Sequence, residues 1–252
     1  MDLGITKMRA AVAAGTAGLG FGTAKALAAE GVAVAVCGRD AQRVAAAVRE
    51  LDDVAGAAPA VGIVADMASS DDAERFVAEA AQQLGGPLDI LVCNAGGPPG
   101  GTFATTDLDA YRSAIELNCM STIAMCRAAV PAMVERRWGR VVAVTSIGAR
   151  QPIGYLAASV TARTAVTGFL KVLSTEVAPH GVTVNNLQPG LHATRRMTDL
   201  YGDAPDTSAI PAGATGDPDD FGAIAAFLCS KQAAFVTGVG LHIDGGAYRG
   251  LQ

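Results

Sequence analysis

Short apolar runs alternate with longer segments of helical period from one end of the chain to the other. The runs at 9–14, 32–37, 60–65, 88–93, 141–145, 182–187 and 241–243 predict strands. Several are β-branched and apolar on both faces, the pattern of strands buried between two helical layers. Between them, 19–30, 41–51, 71–84, 108–135, 156–178 and 218–229 predict helices. Asp40, Ser70 and Asp107 stand where N-caps belong, and Asp217 precedes a proline suited to a first helical position. This alternation predicts an α/β fold: one doubly wound, Rossmann-type domain over 1–252 with a mostly parallel sheet of seven strands. The stretch 191–216, rich in Gly, Pro, Asp and Thr, shows no clear period. Within a compact domain such a segment predicts a lid or binding loop over a substrate.

Composition narrows the function. The chain has 252 residues, half of them hydrophobic, and 24 acidic against 19 basic side chains give a net charge of −5. That is ample for one core and excludes a disordered chain. A mildly acidic balance argues against nucleic acid or an anionic membrane as partner, because both need a basic footprint. Five cysteines (37, 93, 119, 126 and 229) are scattered without a C-x-x-C pair. They predict buried thiols in a reducing cytosol and no metal site. The uncharged stretch 10–24 follows Lys7 and Arg9 as a secretory core would, but its four glycines weaken a helix. No run reaches the roughly 18 uninterrupted apolar residues of a membrane span. A cytoplasmic location is expected.

The chemistry begins after the first strand, at Ala14-Gly15-Thr16-Ala17-Gly18-Leu19-Gly20. Glycines there let the backbone turn tightly and approach a pyrophosphate, which then rests on the positive helix N-terminus. A glycine-rich turn alone is a weak signal, and its place between first strand and first helix strengthens it. In order along the chain follow Asp66, Cys93-Asn94-Ala95-Gly96, Asn118, Thr145-Ser146, Pro189-Gly190-Leu191-His192-Ala193-Thr194, Thr237-Gly238 and Ile243-Asp244-Gly245-Gly246.

With these landmarks the chain resembles the short-chain dehydrogenase/reductases over nearly its whole length. The resemblance implies a nicotinamide cofactor held by the glycine turn from Ala14 to Gly20, by Asp66 and Met67 near the adenine, and by Asn94, Ala95 and Gly96 at the ribose. It also implies that Pro189 and Gly190 wall the nicotinamide and that Thr194 bonds its carboxamide. Arg39 follows the second strand, where NAD-selective members carry an acid. A guanidinium there suits a 2′-phosphate, so NADP is expected over NAD. The plain alternative for Arg39 is a solvated surface arginine.

Two departures from the family pattern stand out. Ala14 occupies the position of the first motif glycine. More seriously, the catalytic Tyr-x-x-x-Lys becomes Ser159-Val160-Thr161-Ala162-Arg163, with Ser159 13 residues after Ser146. A serine hydroxyl is a much poorer acid than a tyrosine beside lysine, and arginine relays no proton near neutrality. Ser146 and Asn118 remain where the family holds the substrate oxygen and a relay water. Three groups can replace the acid: Tyr155, one helical turn before Ser159; His192, with an ordinary pKa of about 6.5; or a water held by Ser146 and Ser159. The plainer reading, favoured over catalysis, is a packing residue for Tyr155 and a polar contact for His192.

The pattern is most similar to an atypical 3-oxoacyl-acyl-carrier-protein reductase-like branch. That branch shares the imperfect glycine motif, Asn94-Ala95-Gly96-Gly97-Pro98 and the Ser-x-x-x-Arg arrangement. The resemblance implies an NADP-dependent oxidoreductase for a small-molecule or acyl-carried carbonyl or alcohol, assembled as a homotetramer or homodimer. The rival readings are a cofactor-binding protein without hydride transfer, and a non-redox enzyme of dehydratase or cyclase type on the same fold.

Overall fold

The computed structural model describes residues 1–54 and 56–251. Seven strands form one sheet: β1 (Arg9–Val12), β2 (Ala33–Gly38), β3 (Val61–Val64), β4 (Ile90–Cys93), β5 (Gly139–Val144), β6 (Val182–Pro189) and β7 (Gly240–Ile243). Their order is β3-β2-β1-β4-β5-β6-β7, and every pair is parallel. The order reverses between β1 and β4, the switch point at which doubly wound sheets open a crevice beyond their carboxyl ends.

Both faces of the sheet are covered, which explains strand sequences without polar alternation. Along β1, Ala10 and Val12 enter one core with Leu27, Leu51 and Phe221, while Ala11 and Ala13 enter the other with Phe76, Met125 and Leu170. The same division holds for Val36 against Cys37 and for Val92 against Cys93. The first layer is built by α1 (Gly18–Ala29), α2 (Ala41–Asp52) and α8 (Pro218–Leu228). The second is built by α3 (Ser70–Gln83), α5 (Ser121–Glu135) and α6 (Ala157–Val177), with α4 (Leu108–Ile115) leaning on α6. Helices α1 and α8 pack backbone to backbone: a methyl group on Gly22 would collide with Pro218, and one on Gly222 with Gly22.

Four local readings of the sequence need correction. The first strand stops at Val12 instead of 14, because Ala14 turns into the left-handed region at φ 45°. The cap of α3 is Ser69, whose hydroxyl accepts from the Asp72 amide at 3.2 Å; Ser70 is already helical. The helix over 108–135 carries a π-helical turn at Glu116–Met120, an insertion of the kind that marks functional sites. The stretch 191–216 is not all loop. Thr194 caps a two-turn helix, α7 (Arg195–Tyr201), that ends at Gly202 with φ 76°.

The helical span Leu108–Glu135 has the length and hydropathy to cross a membrane, yet 56 % of its most apolar window is buried in this fold. All five cysteines are free and buried. Burial pushes the Cys37 thiol up to about 12, so it behaves as a small hydrophobe.

Candidate active site

The carboxyl ends of β1, β4, β5 and β6 open into a cleft of about 630 Å³. Its floor begins at the turn after β1. Asn94 donates from Nδ2 to the Ala14 carbonyl at 3.2 Å, tying β4 to that turn. A Cβ on Gly20 would stand 2.5 Å from the same carbonyl and 2.6 Å from Asn94 Nδ2, so only glycine allows this approach. Ala14 is held in a left-handed conformation that favours glycine, and the surrounding bonds fix it there.

Helix α1 then starts with Ala17 as N-cap and no side-chain hydrogen bond, unlike α2, α3, α4, α7 and α8, each capped by an Asp, Ser or Thr side chain. Its first amides therefore remain available at the cleft, where Ala17, Gly18 and Leu19 line the wall. A methyl on Gly96 would meet nothing within 4 Å, so the wall beyond β4 is open as well. An uncapped helix start, an open glycine wall and a cleft between them suit a dinucleotide.

Strand β5 delivers Ser146. Its Oγ accepts from the Gly148 amide at 3.0 Å. Because the oxygen already accepts an N–H, the hydroxyl proton is left to donate into the cleft. Ser159 repeats the arrangement from α6: its Oγ accepts from Arg163 Nε at 3.3 Å. Arg163 also donates from a terminal nitrogen to the Val144 carbonyl at 3.1 Å. It is only 9 % exposed, and among the described residues no carboxylate pairs with it. Burial, with repulsion from Arg196 added, pulls its pKa down to about 10, so it stays cationic at neutral pH.

Asn118 lies behind the wall, in the π-helical turn. Its Nδ2 donates to the Gly96 carbonyl at 3.0 Å, while its buried Oδ1 has no partner among the described residues. An orphaned buried acceptor is a natural anchor for a water.

The other expected acids are placed differently. Tyr155 is 48 % exposed at the cleft mouth, and its hydroxyl bonds that of Tyr201 at 2.7 Å. His192 is buried edge-on against Phe221, with ring centroids 5.3 Å apart. Its Nδ1 stands 3.3 Å from the Gly190 carbonyl, which places the proton of the neutral ring on Nδ1. Its Nε2 faces Gly216, where a Cβ would come within 2.7 Å. Burial lowers the pKa of His192, against smaller opposing effects of that carbonyl and Asp217.

Ala14, Ala17, Gly18, Leu19, Asn94, Ala95, Gly96, Ser146, Ser159, Arg163, Pro189, Gly190 and Thr194 thus share one cleft with Tyr155 and His192. Gly15 and Gly20 are buried beneath the turn, with Thr16 packed on Gly38. Arg39 is exposed after β2 and makes no side-chain hydrogen bond or ion pair among the described residues. Asp66, half-buried after β3, accepts from the Ala68 amide at 3.0 Å, and Met67 is buried beside it. None of Arg39, Asp66 and Met67 lines the main cleft. Sequence reasoning missed Arg196 and Tyr201, both on α7 and both at the cleft. The available signal was Met197, Leu200 and Tyr201 at helical spacing, the face that α7 turns to the cleft.

The family described as enoyl-(acyl carrier protein) reductase matches residues 13–248. The human dehydrogenase/reductase SDR family member 4 is 34 % identical over 242 residues, which are 94 % of this chain and 86 % of the human protein. The chain belongs to the short-chain dehydrogenase/reductase family. A second member, the 3-oxoacyl-[acyl-carrier-protein] reductase FabG of Aquifex aeolicus, is 29 % identical, covering 94 % of this chain and 96 % of that one. Among solved short-chain dehydrogenase/reductases, L-sorbose reductase from Gluconobacter frateurii, complexed with NADPH and L-sorbose, superposes with a TM-score of 0.91. It is 27 % identical, and both chains are covered completely. Membership makes this chain an NAD(P)-dependent oxidoreductase by class.

Proposed function

We propose that the protein reduces a carbonyl, or oxidises the corresponding alcohol, with NADP(H), using two serines where the family uses a serine and a tyrosine. The observation that carries this reading is the pair of hydroxyls at Ser146 and Ser159. Each oxygen accepts an N–H from behind and so presents its proton to the cleft. Together they form a seat for a substrate oxygen, and the buried Arg163 places positive charge behind it. Preorganised donors of this kind stabilise charge developing on that oxygen as the carbonyl is reduced.

The amides of Ala17, Gly18 and Leu19 would hold the pyrophosphate, and Asn94, Ala95 and Gly96 a ribose. Pro189, Gly190 and Thr194 would flank the nicotinamide, with Arg163 at its ribose. Asp66 and Met67 would receive the adenine and Arg39 the 2′-phosphate. Bound there, the nicotinamide supplies or takes the hydride. The proton comes from water in the cleft, replenished past Asn118. Tyr155 and His192 are left as lid and packing residues. The five free, buried thiols support a reducing, cytoplasmic setting. Exposed Val172 on α6, with Phe227 and Phe235 near the C-terminus, supports assembly into a homodimer or homotetramer.

Ser159 in place of tyrosine favours a second reading, a bound cofactor without hydride transfer or a non-redox enzyme. Calorimetric titration tests the cofactor half of the proposal. NADPH is expected to bind at least tenfold tighter than NADH, with Arg39→Ala abolishing the difference. Equal affinity for the two, unchanged by Arg39→Ala, would overturn the 2′-phosphate assignment.

A further inference from the structure

The charges around the cleft are one-sided. Arg163, Arg195, Arg196 and Arg249 line it against one carboxylate, Asp206. Asp206 is exposed and accepts from the Ser208 amide at 2.9 Å. Arg195 reaches Asp199 at 4.0 Å, one turn along α7. Arg196 has no such ion pair among the described residues.

Arg196 is also seated with care. One terminal nitrogen donates to the Pro98 carbonyl. A Cβ at Gly97 would lie 2.6 Å from its Nε and 2.8 Å from its Cζ, so the glycine leaves room for the guanidinium to lie over the loop after β4. A guanidinium carries five N–H donors, and this anchorage spends one. Its neighbours on α7, Met197 and Leu200, add apolar wall to the cleft. Arg163 and Arg196 repel one another within the same cleft, and burial weakens the charged form of both. An anion near them relieves both costs.

We infer that the substrate carries a carboxylate, bound by Arg196, in addition to the carbonyl or carbinol held by Ser146 and Ser159. This rests on the reading of the cleft given under Proposed function. It makes the substrate class a short oxo or hydroxy acid, since the cleft must also take the nicotinamide end of a dinucleotide. The same guanidinium chemistry would also suit a cofactor phosphate, so the test separates the two sources.

The protein saturated with NADP⁺, which cannot reduce a carbonyl, is titrated calorimetrically with matched pairs: acetoacetate and methyl acetoacetate, levulinate and methyl levulinate. A charge-assisted hydrogen bond predicts that at least one acid binds about 10- to 100-fold tighter than its ester. Arg196→Gln should reduce that difference to about twofold, and Arg196→Lys should recover part of it, as a charge without the planar fork does. Melting temperature and NADP⁺ affinity should match the parent in both variants. Equal binding of acid and ester, or binding of neither, overturns the inference. So does a loss of NADP⁺ affinity in Arg196→Gln, which would assign the guanidinium to a cofactor phosphate. Mixing the same compounds with NADPH reads the reductase proposal separately. An acid that binds through Arg196 without consuming NADPH keeps the carboxylate seat and contradicts hydride transfer.

Discussion

The Nε–H of Arg163 donates to the hydroxyl oxygen of Ser159 across 3.3 Å, one turn apart on the same face of α6. In the proposed function, this bond is what lets a serine serve in a position the family gives to tyrosine. The guanidinium does not deliver a proton. It fixes the direction of the Ser159 hydroxyl and places positive charge behind it.

In the proposed reaction, Ser159→Ala removes one of the two donors on the substrate oxygen. Turnover should fall about 10²- to 10³-fold, the usual loss for one donor of an oxyanion site. NADPH affinity should stay within about twofold, because Ser159 is proposed at the substrate oxygen and Arg163 keeps its bond to the Val144 carbonyl. A variant with parental turnover, measured by the loss of reduced-nicotinamide absorbance, would remove Ser159 from the account.

Tyr155 and Tyr201 join the segment before α6 to α7 through their hydroxyls, 2.7 Å apart. As a latch on the lid, the bond should be lost equally in Tyr155→Phe and Tyr201→Phe. Both variants should then raise KM a few-fold with kcat held within about twofold, losing an interaction made before the transition state. A kcat loss of 10²-fold or more confined to Tyr155→Phe would make Tyr155 the proton donor and contradict the water route.

Ala14 adopts φ 45° at the floor of the site. The left-handed conformation costs an L-residue about 1–2 kcal/mol, and glycine returns about half of that as lost chain entropy. Ala14→Gly should therefore stabilise the protein by about 0.5–1 kcal/mol, or roughly 1–4 °C in Tm for a chain of this size. An unchanged or lower Tm in thermal unfolding would show that the alanine is not strained there.

His192 makes stability depend on pH in one direction. Burial depresses its folded pKa below the ordinary value of about 6.5. Above that value both states are neutral and nothing is lost. As pH falls through it, the unfolded chain gains a proton that the folded protein refuses, and stability declines until the depressed pKa is reached. The Tm should fall more steeply between pH 7 and 5 in the parent than in His192→Gln. Parallel curves would place the charged ring in solvent.

Much of this was legible in the sequence because burial on both sheet faces writes itself into composition. Runs such as Val34–Cys37 and Ile90–Cys93 are apolar throughout, and the structure sends alternate residues into opposite cores. Ser146, Ser159 and Arg163 were located by aligning the chain with the motifs of the family it resembles, and the structure brings them to one cleft. What the sequence hid depends on the third dimension. The run Arg195–Tyr201 is a helix too short for its period to stand out beside nearby Gly and Pro. The placement of Arg196 depends on a missing Cβ at Gly97, 99 positions earlier in the chain. The cap at Ser69 and the end of β1 moved by one or two residues because hydrogen bonds, not patterns, set element ends.

The most direct measurement is NADPH consumption with a panel of oxo acids, ketoses and acyl thioesters, for the parent protein and Ser146→Ala. The parent should consume NADPH with at least one class, and Ser146→Ala should lose about 10²- to 10³-fold in kcat at nearly unchanged NADPH affinity. Tight NADPH binding without consumption by any class, or equal loss of turnover and cofactor affinity in Ser146→Ala, would contradict the two-serine reductase.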